Sequence, residues 1–250
     1  YSAYTGNLTV GCRHFHTPDV LYPRKRNNNI RRNLFMKQTK TLELAQTALL
    51  SALIVLLAFV PYIGYIKLPI LAIQATTIHI PVIIGSVVLG PKKGAFLGGL
   101  FGLTSLINNT TQPGITAFCF SPFIEIGDGM GGSPLALIIC FVPRILCGIL
   151  PYYVYNALQK RAKKKDATRK YSLVAAGVAG SLTNTILVMG MIYIFFGAQY
   201  AEARNIAFEA VLGVIFSVVA INGTIEAIIA ALISAAVSTA LLKSRFTQKA

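Results

Sequence analysis

Residues 211–242 read VLGVIFSVVAINGTIEAIIAALISAAVSTALL, thirty-two consecutive positions in which Glu226 is the only charged side chain. An α-helix needs ~20 apolar residues to cross a hydrocarbon core of ~30 Å. This run exceeds that length, and it is the last of about six apolar stretches between Leu42 and Leu242. Working back from it, the others are Ser172–Gly197, Pro134–Leu158, a shorter Gly94–Asn108, Leu71–Leu89 and Leu42–Val60. A soluble domain of 250 residues cannot hide that many uninterrupted apolar faces. Inside lipid only helices and closed barrels satisfy their own backbone, and the weak alternation of a barrel strand is absent here. The sequence therefore predicts an all-α integral membrane protein, a bundle of six transmembrane helices.

Charge gives the orientation. Lys37 and Lys40 precede the first run, and Lys92 and Lys93 lie between the second and third. Seven basic residues, from Lys160 to Lys170, separate the fourth from the fifth, and Lys243, Arg245 and Lys249 follow the sixth. The other three gaps hold only Lys67 and Arg204, alongside Glu125, Asp128, Glu202 and Glu209. Basic residues accumulate on the cytoplasmic side of membrane proteins, so both termini are expected in the cytoplasm. The formal charge of +15 is mostly this topology signal. The Lys160–Lys170 run lacks the interleaved aromatic platforms of a nucleic-acid binder, and no nucleic-acid partner is expected.

Residues 1–35 differ from the rest: they contain no Met, carry six basic residues and lack the apolar core of a signal peptide. Met36, followed by Lys37 and a helical pattern, reads as a natural start. Residues 1–35 are thus expected to be a disordered upstream extension or artefact, and 36–250 a six-span membrane domain. Cys12, His14 and His16 make a weak metal signal in such a tail, and no metal site is expected. Cys140 and Cys147 share a helical face but stand about 10 Å apart by helical rise. They read as small core residues, with Cys119 in an outer loop, and imply no disulfide framework.

Several chemistries are excluded. There is no G-x-x-x-x-G-K-[ST] phosphate loop, since Gly90-Pro91-Lys92-Lys93-Gly94 lacks the spacing, and there is no H-E-x-x-H. An intramembrane hydrolase needs a nucleophile paired with a base, and His79 is the only histidine in a predicted span. No enzyme activity is expected. Arg144, Asn184, Asn222 and Glu226 fall near the middle of the fourth, fifth and sixth spans, where polar groups are expensive and usually functional. Asn222 and Glu226 share a face at i and i+4. Two readings stand: these residues converge on a ligand cavity, or a buried Arg144–Glu226 ion pair with amide helpers holds the bundle together.

The loops bear on the choice. Asn109–Ser133 is long for a simple connection; it places Phe118, Phe120 and Phe123 around Ser121-Pro122 and ends in Gly127-Asp128-Gly129-Met130-Gly131-Gly132. The Pro61–Pro69 loop carries Tyr62 and Tyr65 between prolines. Such loops can close over a small solute or merely cap the bundle with interfacial aromatics.

The chain resembles the substrate-binding S components of energy-coupling factor (ECF) vitamin transporters from about Met36 to Leu242. The resemblance rests on Ala48-Leu49-Leu50-Ser51-Ala52 in the first span and on Thr76-Thr77-Ile78-His79-Ile80-Pro81-Val82-Ile83-Ile84-Gly85 running on to Leu89-Gly90-Pro91-Lys92-Lys93-Gly94-Ala95. It rests also on Phe120-Ser121-Pro122-Phe123, Pro143-Arg144 and Gly180-Ser181-Leu182-Thr183-Asn184-Thr185. These motifs look most like the pantothenate-specific members. The resemblance implies an S-component fold of six helices and a vitamin site toward the extracellular side. It also implies a partner module of one membrane coupling subunit, approached through Ala48 and Ala52, and two ATPase subunits, so that ATP is bound by partners and no cofactor by this chain. The S component is expected to topple in the membrane to carry solute inward. The expected substrate-binding set is Arg144 for a carboxylate, Asn184, Asn222 and Glu226 for hydroxyl and amide groups, Phe120 and Tyr62 closing the outer face, and His79. Related S components for riboflavin, pyridoxine or thiamine precursors such as hydroxymethylpyrimidine share the architecture. An autonomous proton-coupled permease, with Glu226 and His79 carrying protons, and a ligand-free structural subunit are the rivals from other classes.

Overall fold

The computed structural model describes the backbone of residues 24–60, 64–68, 73–126, 130–162 and 166–247. The expected extension at 1–35 lies for the most part outside them. Tyr1–Leu42 and Glu43–Ala250 form separate units, and every site residue discussed below belongs to the second. Helix α1 (Arg24–Phe59) is followed by strands β1 (Tyr65–Leu68) and β2 (Ile73–Thr76), then α2 (His79–Leu89) and α3 (Pro91–Thr111). A 3-10 turn (Ala117–Cys119) and strands β3 (Glu125–Ile126) and β4 (Met130–Gly131) lead to α4 (Leu135–Arg161). The chain ends with α5 (Asp166–Arg204), α6 (Phe208–Val218), a π-helical turn (Val219–Gly223) and α7 (Thr224–Thr247).

Four helical segments are long and apolar enough to cross a membrane: Lys40–Phe59, Leu135–Arg161, Arg169–Arg204 and Phe208–Lys243, the last formed by α6, the π turn and α7 together. Their outward faces carry Ile194, Phe216 and Leu232, each about two-thirds exposed or more, which is the surface a helix presents to acyl chains rather than to water. The fold is that of a helical integral membrane protein with two short antiparallel hairpins, β1–β2 and β3–β4. The hairpins are additions to the all-helical expectation.

The predicted second span, Leu71–Leu89, divides into β2 and an eleven-residue α2. At 1.5 Å per residue α2 is about 16 Å long, too short for a bilayer on its own. The β-branched Ile73, Thr76 and Thr77 suit extended backbone and postpone the helix to His79. Every residue of α2 from His79 to Val88 is buried, and α3, α4, α5 and α7 all pack on it. A helix apolar on all sides belongs at the centre of a bundle, and α2 occupies that place. Gly90, at φ 96°, breaks the chain between α2 and α3, a left-handed conformation that favours glycine, and Pro91 then occupies the first turn of α3.

In lipid, helices associate through close van der Waals approach rather than through a hydrophobic drive. The pairing of α3 with α4 shows it: a Cβ added at Gly94 would strike the Gly148 carbonyl, and one added at Gly98 would strike the carbonyl of Arg144. Between α5 and α7, a Cβ at Gly177 would lie 2.6 Å from Ser234 Oγ and 2.7 Å from Ala231 Cα. Among the described residues the buried apolar side chains form three clusters, the smallest being Val87, Leu173 and Ala176. Leu50, Ile54, Ile78, Ile83, Leu97 and Phe101 belong to one. Phe118, Ile139, Ile192, Phe196, Tyr200 and Val211 belong to a second, which joins the 3-10 turn to the ends of α5 and α6.

Candidate functional site

Helix α4 carries Pro143 in its interior. Proline has no N–H to give to the carbonyl four residues back, so the Ile139 carbonyl receives no helical donor from position 143. The next residue fills the gap: Arg144 Nη1 donates to the Ile139 carbonyl at 2.6 Å. The guanidinium carbon lies 4.9 Å from the centre of the Phe120 ring and 5.5 Å from that of Phe101. Attraction between a desolvated cation and such rings is worth up to about 2 kcal/mol. Arg144 is buried, and its Nε has no hydrogen-bond partner among the described residues.

Phe120 is held over Arg144 by a chain of hydroxyls. Thr110 Oγ1 donates to the Leu106 carbonyl at 2.8 Å and stands 2.7 Å from Ser121 Oγ. With its one proton committed to Leu106, Thr110 accepts from Ser121, and Ser121 Oγ in turn accepts the Phe123 N–H at 3.3 Å. The Phe120–Phe123 segment is therefore tied to the end of α3.

Glu226, in the first turn of α7 and buried, is satisfied by threonines. Its Oε1 accepts the Thr76 N–H at 2.6 Å and the Thr76 hydroxyl at 3.0 Å, while Oε2 accepts the Thr185 hydroxyl at 3.0 Å. The anticipated Arg144–Glu226 ion pair does not form: among the described residues Arg144 finds the Ile139 carbonyl and two rings, and Glu226 finds Thr76 and Thr185. Each charge has partners supplied by its own surroundings, so neither needs the other. Both still act electrostatically on Cys147, buried one turn beyond Arg144, so they belong to one region of the bundle.

Next to Glu226 and its partner Thr185 along α5 and the π turn, Asn184 Oδ1, Asn222 Oδ1 and Ser181 Oγ are buried without hydrogen-bond partners among the described residues. Both ring nitrogens of His79 also lack a partner at bonding geometry, although the Thr76 backbone and the Glu226 charge lie beside the ring. Each such atom costs about 1–3 kcal/mol if left unsatisfied, so each calls for a partner. Asn222 sits in the π turn Val219–Gly223. Single π turns inside α-helices recur at functional sites, and this one interrupts the longest apolar run of the chain.

Five of the expected site residues, Arg144, Asn184, Asn222, Glu226 and His79, are thus buried polar groups of the bundle, and Phe120 packs on Arg144. Tyr62 lies outside the described residues, as does Asp128. Ala48 and Ala52 are exposed on α1, opposite its buried Leu50 and Ile54. Residues that the sequence reading left without a role are Thr76, Thr185, Phe101 and Pro143. Thr76 and Thr185 stood inside quoted motifs, yet only the fold brings them to a carboxylate 150 and 41 positions away. Among the described residues no group of three or more His, Cys, Asp or Glu is placed to hold a metal ion. Cys119, Cys140 and Cys147 are free and buried; burial pushes the Cys119 thiol, in the 3-10 turn, well above its ordinary range, so it is not a reactive thiolate.

The sequence profile of the family "ECF transporter, substrate-specific component" matches residues 42–238. The chain is 38% identical over 211 residues to the pantothenic acid transporter PanT of Lactococcus lactis subsp. cremoris, covering 84% of this chain and 98% of that protein. It is 30% identical over 209 residues to the pantothenate transporter PanT of Leuconostoc mesenteroides subsp. mesenteroides, covering 83% of this chain and 95% of that protein.

Proposed function

Because the chain belongs to the substrate-specific components of ECF transporters, multi-pass proteins of the bacterial cell membrane, we propose that it binds pantothenate at the Arg144 cluster as the capture subunit of an ATP-driven importer. The observation that carries this reading is the buried guanidinium of Arg144, whose Nε has no partner and which faces no carboxylate of its own chain among the described residues. Pantothenate is a monoanion with one amide and two hydroxyls. Its carboxylate suits the free side of Arg144, and its hydroxyl and amide groups suit the unpartnered Asn184 and Asn222 oxygens. Glu226 holds the Thr76 end of the first hairpin against this site, His79 lines it, and Phe120 covers the guanidinium. The names of the Lactococcus and Leuconostoc relatives support the choice of vitamin.

The bundle has six spans, formed by α1, α2 with its hairpin, α3, α4, α5 and the α6–α7 rod, with both termini in the cytoplasm, as the basic gaps at Lys92–Lys93 and Lys160–Lys170 support. The exposed Ala48–Ala52 face of α1 meets the membrane coupling subunit, two ATPase subunits supply the energy, and the S component topples to release solute. The chain itself performs no covalent chemistry and binds no cofactor. Calorimetry on the purified protein with pantothenate, riboflavin, pyridoxine and hydroxymethylpyrimidine tests the reading: saturable binding of pantothenate alone is expected, and preference for another of the four overturns the vitamin.

One observation favours a second reading. His79 is buried beside Glu226, and a histidine next to a carboxylate is what a proton-coupled permease would use. Proton-driven uptake by the chain alone in proteoliposomes would establish it; uptake only with the ATPase module excludes it.

A further inference from the structure

The Pro143–Arg144 pair does more than place a positive charge in the bundle. Pro143 withholds the N–H that Ile139 would otherwise receive, and Arg144 Nη1 takes its place at 2.6 Å. One corner of the guanidinium is thereby fixed to the backbone of its own helix. The carbonyl of Arg144 is itself fixed, because Gly98 lets α3 approach until a single Cβ would collide with it. Phe101 and Phe120 restrict the guanidinium further, at 5.5 and 4.9 Å. Nη1 is committed to Ile139 and Nε has no hydrogen-bond partner among the described residues, which leaves the edge made by Nε and Nη2. Two parallel N–H groups on one edge match the two oxygens of a carboxylate, an arrangement that a point charge such as an ammonium cannot reproduce.

We infer that Pro143 is a positioning and specificity-determining residue: by freeing the Ile139 carbonyl to anchor Arg144 Nη1, it presents the Nε–Nη2 edge to the carboxylate of the solute. This rests on the assignment of Arg144 to a carboxylate made above. Its consequence is selectivity between a carboxylate and a neutral group at one end of the solute. Restoring an N–H at position 143 gives Ile139 its ordinary helical donor and releases Nη1. The guanidinium stays in the site but loses its fixed orientation.

The test compares binding of pantothenate with binding of its analogue carrying a primary alcohol in place of the carboxylate, by calorimetry on the full chain. Wild type, Pro143→Ala and Pro143→Leu are measured side by side, together with their thermal unfolding. Wild type is expected to prefer the carboxylate. Both variants restore the donor, so the preference should fall about tenfold or more, as loss of a bidentate charge-assisted contact implies. Affinity for the alcohol should stay within about twofold, and thermal stability should not fall, since a proline leaves a helix interior. A retained preference in folded variants overturns the inference while leaving Arg144 as the carboxylate ligand. An equal loss for both ligands, or failure of both variants to fold, assigns Pro143 to the shape of α4 and also overturns it. If wild type itself shows no preference for the carboxylate, the Arg144 assignment fails and this inference falls with it.

Discussion

Thr76 and Glu226 meet twice: the backbone N–H of Thr76 donates to Glu226 Oε1 at 2.6 Å and the Thr76 hydroxyl donates to the same oxygen at 3.0 Å. Thr76 is the last residue of the β1–β2 hairpin, and Glu226 lies one turn past the π turn in the α6–α7 rod. The hairpin is therefore tied to the middle of the membrane bundle through a carboxylate, and opening it means breaking bonds to a charge in a site of low dielectric. Hydrogen bonds to charged groups are worth about 1.5–3 kcal/mol each, against about 1 kcal/mol for neutral ones.

Replacing Glu226 by Gln keeps the shape and removes the charge. We expect a loss of about 1–3 kcal/mol in stability and faster hydrogen exchange in residues 65–76. Thr76→Val, which keeps the backbone N–H, should cost less. Thermal unfolding and exchange mass spectrometry report both; equal exchange rates in E226Q and wild type would show that the carboxylate does not hold the hairpin.

Gly98 and Gly99 offer a paired test of helix approach. A side chain at Gly98 collides with the Arg144 carbonyl, whereas nothing lies within 4 Å of a Cβ at Gly99. Gly98→Ala should lower both the melting temperature and solute affinity, and Gly99→Ala should be neutral or stabilising by up to about 1 kcal/mol, the helix preference of Ala over Gly. Indistinguishable variants would mean that α3 and α4 are not in backbone contact.

Ala48 and Ala52 are exposed on α1 among Leu44, Leu49 and Leu53. Small residues permit close approach of a partner helix. Ala48→Trp with Ala52→Trp should abolish ATP-dependent uptake in vesicles carrying the whole module and leave solute binding by the isolated subunit unchanged. Normal uptake by the double variant would remove this face as the coupling surface.

Reporter fusions test the topology. A reporter within Lys160–Lys170 should be cytoplasmic and one within Asn109–Ser133 extracellular, as the charge distribution requires. Both reporters on one side of the membrane would rule out six spans with cytoplasmic termini.

The long apolar runs were legible because hydropathy is a local property: Leu42–Val60, Pro134–Leu158, Ser172–Gly197 and Val211–Leu242 each coincide with a helix long enough to span. The burial of Arg144, Asn184, Asn222 and Glu226 followed from their depth within those runs. Leu71–Leu89 misled because an apolar run does not distinguish a strand from a helix, and the hairpin register that makes Ile73–Thr76 extended is set by pairing with Tyr65–Leu68. Which charge meets which partner was beyond reach for a different reason. Opposite charges near mid-membrane suggest an ion pair, yet Glu226 is satisfied by threonines from β2 and α5, distant in the chain. The partner of Arg144 was local: a proline followed directly by an arginine already implies a freed carbonyl and a donor to fill it.

Arg144 is proposed as the carboxylate ligand rather than as a structural cation. Glu226 has its own partners, so removing Arg144 does not strand a buried carboxylate. Calorimetric titration of the Arg144→Ala protein with pantothenate is the direct measurement, with its melting temperature as the control for folding. A folded protein is expected whose affinity falls about ten- to a hundredfold, the equivalent of a lost charge-assisted contact of roughly 1.5–3 kcal/mol. Wild-type affinity in a folded R144A protein would contradict it.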